Sequence, residues 1–212
     1  MTATLMESGT MTHSAQPPNT GTGFLLVVTG PSGAGKGTLI HLVLPRFPVL
    51  APAVSATTRA QRPGEQDGVH YWFLTRDEFQ AKIDAGEFLE YVDYVGNRYG
   101  TLRSEIDRLR AAGKAPLLEL ETEGALRVKR REELAVTIFV TAPVEELERR
   151  LRQRATESSG AIGERIETAR RQLELQGEFD HVVENDDRER AADALAAIIA
   201  QELNGAATMA AQ

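Results

Sequence analysis

The sequence predicts an α/β protein in which a parallel sheet is covered on both faces by helices. Four apolar runs of strand length, FLLVVT, APLLELE, VTIFVTA and HVVEN, are each followed by a segment with helical spacing. Such alternation favours parallel strands, because the crossover helices then pack on the sheet. A turn-rich region, Ser55–Thr101, interrupts the alternation and is expected to form a small inserted lobe. A chain of 212 residues suits one domain with such an insertion.

The first strand is expected at Phe24–Thr29, directly before a glycine-rich loop. A helical pattern follows over Leu39–Leu44, and Pro45 and Pro48 close it. A second apolar stretch, Val49–Val54, then leads into the turn-rich region. This order places the glycine-rich loop between a strand and a helix.

Two further helices are predicted from a cap and from apolar spacing. Asp77 is expected to be an N-cap, with Phe79 and Ile83 four residues apart on one face of the helix that follows. The last helix is predicted at about Arg188–Leu203. Its apolar residues on one face are Leu195, Ile198 and Ile199. We find no internal repeat.

Composition argues against several classes of site and partner. No apolar run approaches the roughly 20 residues that span a bilayer, so no membrane segment is expected. A formal net charge of -7 argues against nonspecific nucleic-acid binding, so local basic clusters must hold any anionic ligand. The absence of cysteine excludes disulfides, thiolate metal sites and a cysteine nucleophile, and it fits a cytoplasmic protein. The four histidines are scattered without ligand spacing, so no zinc site is expected.

The first 22 residues are predicted to be a disordered leader. They are rich in Thr, Ser, Gly and Pro. They lack the basic and apolar regions of a secretory signal, so we expect no such signal here.

The segment TGPSGAGKGTLI, Thr29–Ile40, has the composition and context of a phosphate-binding loop. The spacing G-x-x-x-x-G-K is met by Gly30, Gly35 and Lys36, between a predicted strand and a predicted helix. Glycines let backbone N–H groups point inward, where a Cβ would block the phosphates. The helix start and the lysine add positive charge. The alternative is a glycine-rich turn that binds nothing, which the flanking strand and helix disfavour.

The residue after the loop lysine departs from the usual motif. Gly37 stands where serine or threonine normally offers a hydroxyl to a bound metal, and Thr38 follows one place later. We therefore expect Mg²⁺ to be bound by Thr38, largely through water, or by water alone.

A second polar cluster lies in the turn-rich region. The stretch SATTRAQRPGEQDGVHYWF places Arg59 and Arg62 three residues apart, with Tyr71 downstream of a Pro-Gly turn. The next stretch, FLEYVDYVGNRYGT, contains Tyr99. Two arginine forks and two phenols suit a phosphate monoester, which carries nearly two negative charges. Either arginine alone would be interpreted as part of a solvated face.

Together these motifs resemble those of the guanylate kinase family. The resemblance rests on the loop GPSGAGKGT, the stretch S-x-T-T-R-x-x-R-x-G-E-x-x-G-x-x-Y, then F-L-E and Y-G-T, in the family's order from about Phe24 to the last helix. It implies a P-loop NTPase-type parallel sheet flanked by helices, an inserted GMP-binding lobe and a helical lid. It also implies the reaction Mg·ATP + GMP ⇌ ADP + GDP, which recycles GMP, with dGMP as a further candidate acceptor.

The resemblance implies a division of the chain and a set of partners. The leader is 1–22, the kinase domain 23–205 and the C-terminal tail 206–212. Within the domain, the core is 23–54, 102–150 and 178–205, the GMP-binding lobe is 55–101 and the lid is 151–177. The implied partners are the small molecules ATP and GMP, with no nucleic acid and no membrane, and the chain is expected to be a monomer or a homo-oligomer.

The resemblance also assigns site residues position by position. The ATP-binding residues are Gly30, Pro31, Ser32, Gly33, Ala34, Gly35, Lys36, Gly37 and Thr38, with Asn185 beside the adenine. The residues that hold the GMP phosphate are Arg59, Arg62, Tyr71 and Tyr99. Those near the guanine are Ser55, Glu90 and Thr101, with Glu119 and Glu121 near the guanine or the water shell of the metal. The catalytic residues are Lys36, Arg59, Arg150, Arg154 and Arg165.

The chemistry of guanine supports the role given to Glu90. Guanine presents N1–H and N2–H₂ donors side by side, and one ionised carboxylate accepts both, whereas adenine lacks this pair. A closed site that left Glu90 unpaired would reject AMP by a factor of about 10⁴. The segment LLELETEGA departs from the family form L-[DE]-I-D-x-Q-G-A, because Glu121 replaces aspartate and Glu123 replaces glutamine.

Three alternatives remain at this level. A different nucleoside monophosphate kinase is disfavoured by Glu90 with Thr101, which suit guanine. A non-catalytic, guanylate-kinase-like scaffold module is disfavoured by the intact loop with Lys36 and by the short chain. For the lid, the alternative is a solvated helix face, with Arg149 and Arg152 as its first members. The glutamates available to such a face are Glu145, Glu146, Glu148 and Glu157.

Overall fold

The computed structural model describes residues 24–94, 96–154 and 159–210, without the side chains of 154, 159–162, 209 and 210. The predicted leader lies outside this description. Residues 155–158 of the predicted lid, Glu157 among them, and the last two residues of the predicted tail lie outside it as well.

Over the described residues the chain forms nine strands and seven helices. The strands are β1 (Leu25–Thr29), β2 (Leu50–Pro52), β3 (Ala56–Thr57), β4 (Trp72–Phe73), β5 (Phe88–Tyr94), β6 (Asn97–Leu102), β7 (Ala115–Glu119), β8 (Ala135–Thr141) and β9 (His181–Glu184). The helices are α1 (Lys36–Val43), α2 (Arg76–Asp84), α3 (Arg103–Ala111), α4 (Thr122–Arg131), α5 (Val144–Arg154), α6 (Ser159–Glu174) and α7 (Arg188–Ala210). Short 3-10 turns lie at Leu44–Arg46 and Gln176–Glu178.

Five strands form a central sheet in the order β2-β7-β1-β8-β9, and every pairing in it is parallel. The side chains of β1 alternate between two hydrophobic clusters, as the two-residue period of a strand requires. Leu26 and Val28 pack with residues of α1 and α7, whereas Leu25 and Val27 pack with residues of α3 and α4. The predicted parallel sheet with helices on both faces is therefore confirmed.

Four short strands form a second, mixed sheet in the order β4-β3-β6-β5. It is built from the turn-rich region, and α2 packs against it. Phe79 of α2 is fully buried and stacks on Phe88 of β5, with 4.3 Å between the ring centroids. These rings belong to a third, smaller hydrophobic cluster, so the region has a core of its own.

Helix α2 begins two residues before the position predicted from Asp77. Its N-cap is Thr75, whose hydroxyl accepts from the backbone N–H of Glu78 at 3.2 Å. The carboxylate of Glu78 in turn accepts from the backbone N–H of Thr75 at 2.7 Å. The prediction of Asp77 as N-cap was wrong, because the reciprocal Thr75–Glu78 pair satisfies two backbone donors where an aspartate alone satisfies one. Asp77 lies in the first turn, where its charge suits the helix dipole.

Helix α7 is longer than predicted and continues past Leu203 to Ala210. Ala206 and Ala207 are strong helix formers, and Ala206 packs against the main hydrophobic cluster, which supports the helix beyond Leu203. No helix among the described residues, this longest one included, combines the length and hydropathy needed to cross a membrane.

Glu105 ties together the two segments through which the chain enters and leaves the second sheet. It lies in the first turn of α3, directly after β6, and only 2% of the residue is exposed. Its carboxylate accepts the N–H of Val54 at 3.0 Å and two hydrogen bonds from Arg108 at 2.8 and 2.9 Å. Burial acts to raise the pKa of Glu105, but the bonds from Arg108 and Val54 outweigh burial and keep the pKa below its ordinary value.

Removing this carboxylate should destabilise the chain. Glu105→Ala takes the acceptor away from the N–H of Val54, and we expect the free energy of unfolding to fall by about 1–3 kcal/mol. Glu105→Gln keeps an acceptor and should lose less. Asp107→Ala, at an exposed position of the same helix, is the control. Urea unfolding followed by circular dichroism measures the three variants, and equal stability of Glu105→Ala and Asp107→Ala would contradict the prediction.

Candidate active site

The loop 30–35 connects β1 to α1, and two of its glycines are required by packing. Gly30 and Gly35 have φ values of 138° and 89°, in the region that favours glycine. A Cβ on Gly30 would lie 2.0 Å from the carbonyl oxygen of Val140. A Cβ on Gly35 would lie 2.4 Å from Nδ2 of Asn185. The loop therefore rests directly on the ends of the central sheet, with no room for side chains at these positions.

Lys36, the first residue of α1, turns its ammonium group back over the loop. Its Nζ donates to the carbonyl oxygens of Gly30 at 2.7 Å and of Pro31 at 3.3 Å. Its charge also acts on Glu119 at the end of β7. Burial raises the pKa of Glu119, and the positive charge of Lys36 opposes that rise. A full positive charge therefore stands beside the loop, where the sequence predicts the phosphates of ATP.

The residues next to the loop fit a magnesium ion. Gly37 lies against Glu119, because a Cβ at that position would be 3.3 Å from Oε2 of Glu119. Thr38, Glu119 and Glu121 line one cavity and offer the oxygen donors that Mg²⁺ prefers. The described residues contain no cluster of three metal-ligating side chains. Two carboxylates and a hydroxyl agree with the chemistry of Mg²⁺, which usually keeps several waters and takes further ligands from substrate phosphates.

A cavity of about 590 Å³ brings together residues from distant parts of the chain. Its walls come from the glycine loop, from the end of β7 and from strands β5 and β6 of the second sheet. The predicted site residues that line it are Ser32, Gly35, Lys36, Gly37, Thr38, Ser55, Tyr71, Glu90, Tyr99, Glu119 and Glu121. Some residues predicted to bind the phosphates of ATP and some predicted to bind GMP therefore open onto one volume, of a size that suits small-molecule ligands. The predicted ATP- and GMP-binding residues outside the wall are Gly30, Pro31, Gly33, Ala34, Asn185, Arg59, Arg62 and Thr101.

Glu90 is the most deeply buried carboxylate of this cavity. It lies on β5, 3% of the residue is exposed, and it accepts a hydrogen bond from Thr101 Oγ1 of β6 at 3.0 Å. Burial raises the pKa of Glu90 to about 7, although the hydrogen bonds of Thr101 and the charge of Arg127 act in the opposite direction. Thr101 thus fixes one carboxylate oxygen, and a group with this pKa changes its charge near neutral pH.

Arg59 is held by Glu65, a residue to which the sequence analysis gave no role. Its guanidinium donates to both oxygens of Glu65, at 2.8 and 3.0 Å. It also lies 5.3 Å from the ring centroid of Tyr71 and 5.7 Å from that of Phe73. Arg62 is exposed, and its backbone N–H donates to Glu65 at 2.8 Å. Glu65 therefore sets the orientation of the predicted phosphate-binding arginine, and neither arginine side chain is part of the cavity wall.

Asn185 and Arg150 pack against carbonyl oxygens of the loop. Asn185 follows β9 and donates from Nδ2 to the carbonyl oxygen of Ala34 at 2.6 Å. Its Oδ1 is buried and has no hydrogen-bond partner among the described residues. Arg150 of α5 donates to the carbonyl oxygens of Asn185 at 3.1 Å and of Gly33 at 3.3 Å. A buried acceptor without a partner favours a ligand with a donor, and the exocyclic amine of adenine is such a donor.

The arginines of α5 include a solvated set, as the alternative for the lid predicts. Arg149 pairs with Glu146 at 2.6 Å and Arg152 pairs with Glu148 at 3.0 Å, and more than half of each arginine side chain is exposed. The side chain of Arg154 lies outside the described residues.

Two polar side chains of the cavity wall, those of Tyr94 and His70, were not identified by the sequence analysis. Tyr94 of β5 meets Tyr99 edge to face, with 6.4 Å between ring centroids. Burial raises the pKa of Tyr94, while Arg165 of α6 and Ser32 of the loop act to lower it, so its phenol lies among residues of the lobe, loop and lid. His70 also lines the cavity, and its Nδ1 accepts the N–H of Gln66 at 3.0 Å. Alternation along β5, four residues after Glu90, is the signal that identifies Tyr94.

The chain is similar to one protein family over most of its length. A family model described as guanylate kinase matches residues 23–202. The guanylate kinase of Desulfitobacterium hafniense (strain Y51) is 46% identical over 181 residues, which cover 85% of this chain and 90% of the relative. That of Rubrobacter xylanophilus is 48% identical over 184 residues, which cover 86% of this chain and 96% of the relative.

A solved structure is similar over the same region. The crystal structure of guanylate kinase from Anaplasma phagocytophilum is 30% identical, covers 85% of this chain and 86% of that chain, and superposes with a TM-score of 0.68. The predicted P-loop NTPase-type α/β fold is confirmed by this likeness. From the family model, the relatives and this structure it follows that the chain belongs to the guanylate kinase family.

Proposed function

We propose that this chain carries out the reaction of its family, the ATP-dependent phosphorylation of GMP to GDP, inside the 590 Å³ cavity. The observation that carries the proposal is that Lys36 and Glu90 line the same cavity, although Lys36 begins the helix that follows β1 of the central sheet and Glu90 lies on β5 of the second sheet. A phosphate donor on the loop and a guanine nucleotide in the lobe would then meet within one site. The reaction draws on the ATP and GMP of the cytoplasm, where we place the chain.

The loop side of the cavity is suited to the donor. Backbone N–H groups of a glycine loop and the positive end of α1 bind phosphates, and Lys36 adds a full charge. We assign Asn185 to the amine of adenine, and its buried acceptor without a partner among the described residues supports this role. Thr38, Glu119 and Glu121 would hold Mg²⁺, in large part through water. When bound, the ion supplies neutralisation of charge on the donor phosphates.

The lobe side is suited to the acceptor. We assign Arg59, Arg62, Tyr71 and Tyr99 to the phosphate of GMP, and Ser55, Glu90 and Thr101 to its guanine. Glu65 supports Arg59 by accepting hydrogen bonds from both terminal nitrogens of its guanidinium group. In this proposal ionised Glu90 accepts the paired N–H donors of guanine, and the hydrogen bond from Thr101 to one of its oxygens supports the role by fixing the carboxylate. Such pairing rejects adenine, which lacks these donors.

Transfer itself needs mainly position and charge. Phosphoryl transfer has little covalent chemistry for a protein to perform, so catalysis depends on alignment and on stabilisation of developing charge. We assign Arg150, Arg154 and Arg165 to that charge when the lid excludes water. The interaction of Arg165 with Tyr94 at the cavity wall supports this role, whereas Arg150 contacts a carbonyl oxygen of the loop.

The experiment that tests the proposal measures ADP release with Mg·ATP and each of GMP, dGMP, AMP, UMP and CMP. We expect turnover with GMP far above that with AMP, UMP or CMP. Turnover that is highest with AMP or a pyrimidine nucleotide would assign a different monophosphate kinase. Binding of GMP without any turnover would instead support the scaffold module. Size-exclusion chromatography with light scattering decides between a monomer and a homo-oligomer.

The affinity for GMP should depend on pH through Glu90. In the free chain the pKa of Glu90 is about 7, and the donors of guanine favour the ionised form, so they lower this pKa in the complex. GMP binding therefore releases a proton when the pH is below about 7. We expect the KM for GMP to be about tenfold higher near pH 6 than near pH 8, with little change above the pKa.

The control for this pH dependence is Glu90→Gln, which cannot ionise. The second ionisation of a phosphate monoester falls near pH 6 and contributes in both proteins. The difference between the two pH profiles therefore isolates Glu90. If the KM of both proteins changes in parallel with pH, Glu90 is already ionised in the free chain and the prediction is wrong.

A further inference from the structure

Gly124 occupies a helical position where its lack of a side chain needs an explanation. It lies in the first turn of α4, it is buried, and a glycine inside a helix costs up to about 1 kcal/mol relative to alanine. Its backbone is helical, so alanine is compatible with the backbone at this position. The reason for glycine must therefore lie in what surrounds its Cα.

The surroundings of Gly124 are dominated by one group, the carboxylate of Glu90. A Cβ on Gly124 would lie 2.6 Å from Oε2 and 3.3 Å from Cδ of Glu90. The next nearest atom, Cγ1 of Val92, would be at 3.6 Å, which is an ordinary contact. An added methyl group would thus collide with Glu90, and its remaining contact, with Val92, would be an ordinary one.

Helix and strand are held together at this contact, so neither can easily move to relieve a collision. Arg127, one turn further along α4, donates to the carbonyl oxygen of Tyr91 on β5. Its guanidinium also lies 5.9 Å from the ring centroid of Tyr91. The other oxygen of Glu90 is held by Thr101. The part of the structure that remains free to move is the carboxylate itself.

We infer that Gly124 is a positioning residue for guanine specificity: the space left by its missing side chain holds the carboxylate of Glu90 in the orientation that reads the base. This inference rests on the proposed role of Glu90 in binding guanine. It assigns to α4, which does not line the cavity at this position, a part in choosing the substrate.

Gly124→Ala should therefore damage recognition of GMP while the fold is kept. The methyl group displaces Oε2, and at least one of the two hydrogen bonds from guanine is lost or bent. Loss of a hydrogen bond to a charged group corresponds to a rise in the KM for GMP of about tenfold to a hundredfold. The low rate of AMP turnover, the KM for ATP and the melting temperature should stay close to the values of the parent chain.

A matched control is offered by Gly205, a helical glycine of α7 where an added Cβ meets nothing within 4 Å. Gly205→Ala should leave every kinetic constant unchanged and should not lower the melting temperature, because alanine favours helix more than glycine does. The measurements are the kcat and KM for GMP and for AMP, the KM for ATP and the melting temperature. Glu90→Gln and the double variant Gly124→Ala with Glu90→Gln complete the set. If Gly124 acts through Glu90, the double variant should be no less selective than Glu90→Gln.

The outcomes separate the inference from the function on which it rests. A lower ratio of GMP to AMP activity in Gly124→Ala, with ATP kinetics and melting temperature retained, supports it. If the ratio is unchanged in Gly124→Ala but changed in Glu90→Gln, the inference about Gly124 is wrong and the role of Glu90 stands. An unchanged ratio in Glu90→Gln overturns that role, and the inference with it. A lower melting temperature with parallel loss of GMP and AMP activity would make Gly124 a packing residue and would also overturn the inference.

Discussion

Lys36→Met is expected to lower kcat by about three orders of magnitude while the chain stays folded. The ammonium group lies beside the loop, within 2.7 Å of the carbonyl oxygen of Gly30, and methionine keeps most of its length without its charge. Backbone N–H groups alone cannot neutralise the charge that develops as the phosphoryl group moves. Coupled measurement of ADP release, together with a thermal melt, checks the expectation.

Lys114→Met is the matched control for this change. Lys114 donates to the carbonyl oxygen of Pro48 at an exposed position and is not part of the cavity wall. Its replacement should leave kcat within about twofold. A Lys36→Met chain with normal melting and near-parent activity would show that the loop does not bind the phosphates that react.

Arg154→Ala should lower kcat by two to four orders of magnitude with little change in the KM for GMP. Lid arginines that meet their charge partner only in the closed state contribute mainly in the transition state. Loss of one such contact is expected to cost about 3–5 kcal/mol. Arg59→Ala should instead raise the KM for GMP, because the phosphate is already present in the ground state. Both constants are measured at saturating Mg·ATP.

Arg152→Ala is the control for the lid, since Arg152 lies two residues away on α5 and pairs with Glu148 at an exposed position. Exposed pairs of this kind contribute about 0–1 kcal/mol, so its loss should hardly change kcat. If Arg154→Ala and Arg152→Ala behave alike, both arginines belong to a solvated face. The lid would then take no part in transfer.

Elements with strong local signals could be predicted from the sequence. The parallel sheet follows from apolar runs of strand length between helical patterns, because both signals lie within a few residues of one another. The glycine loop is equally local. Its required glycines and its lysine fall within seven residues, Gly30–Lys36, directly after a buried strand.

Features that depend on competition or on distant packing could not be predicted. Thr75 displaced Asp77 as the cap of α2 because a reciprocal pair satisfies more donors than one aspartate. Glu65 and Arg59 are only six residues apart in the sequence, yet their ion pair forms only when the turn between them folds. The contact of Gly124 with Glu90 joins residues of different elements, and no sequence spacing predicts it.

The lobe carries its own optical reporter. Trp72 of β4 is the single tryptophan of the chain, and it lies beside two residues of the cavity wall, His70 and Tyr71. The side chain of Glu105 interacts with its indole at the junction between the two sheets. Intrinsic fluorescence should therefore register GMP arrival and any rotation of the lobe in the native chain. Since the sequence has no cysteine, single cysteines introduced at chosen positions can be labelled with thiol-reactive dyes. Energy transfer from Trp72 to such a dye would follow the same motion.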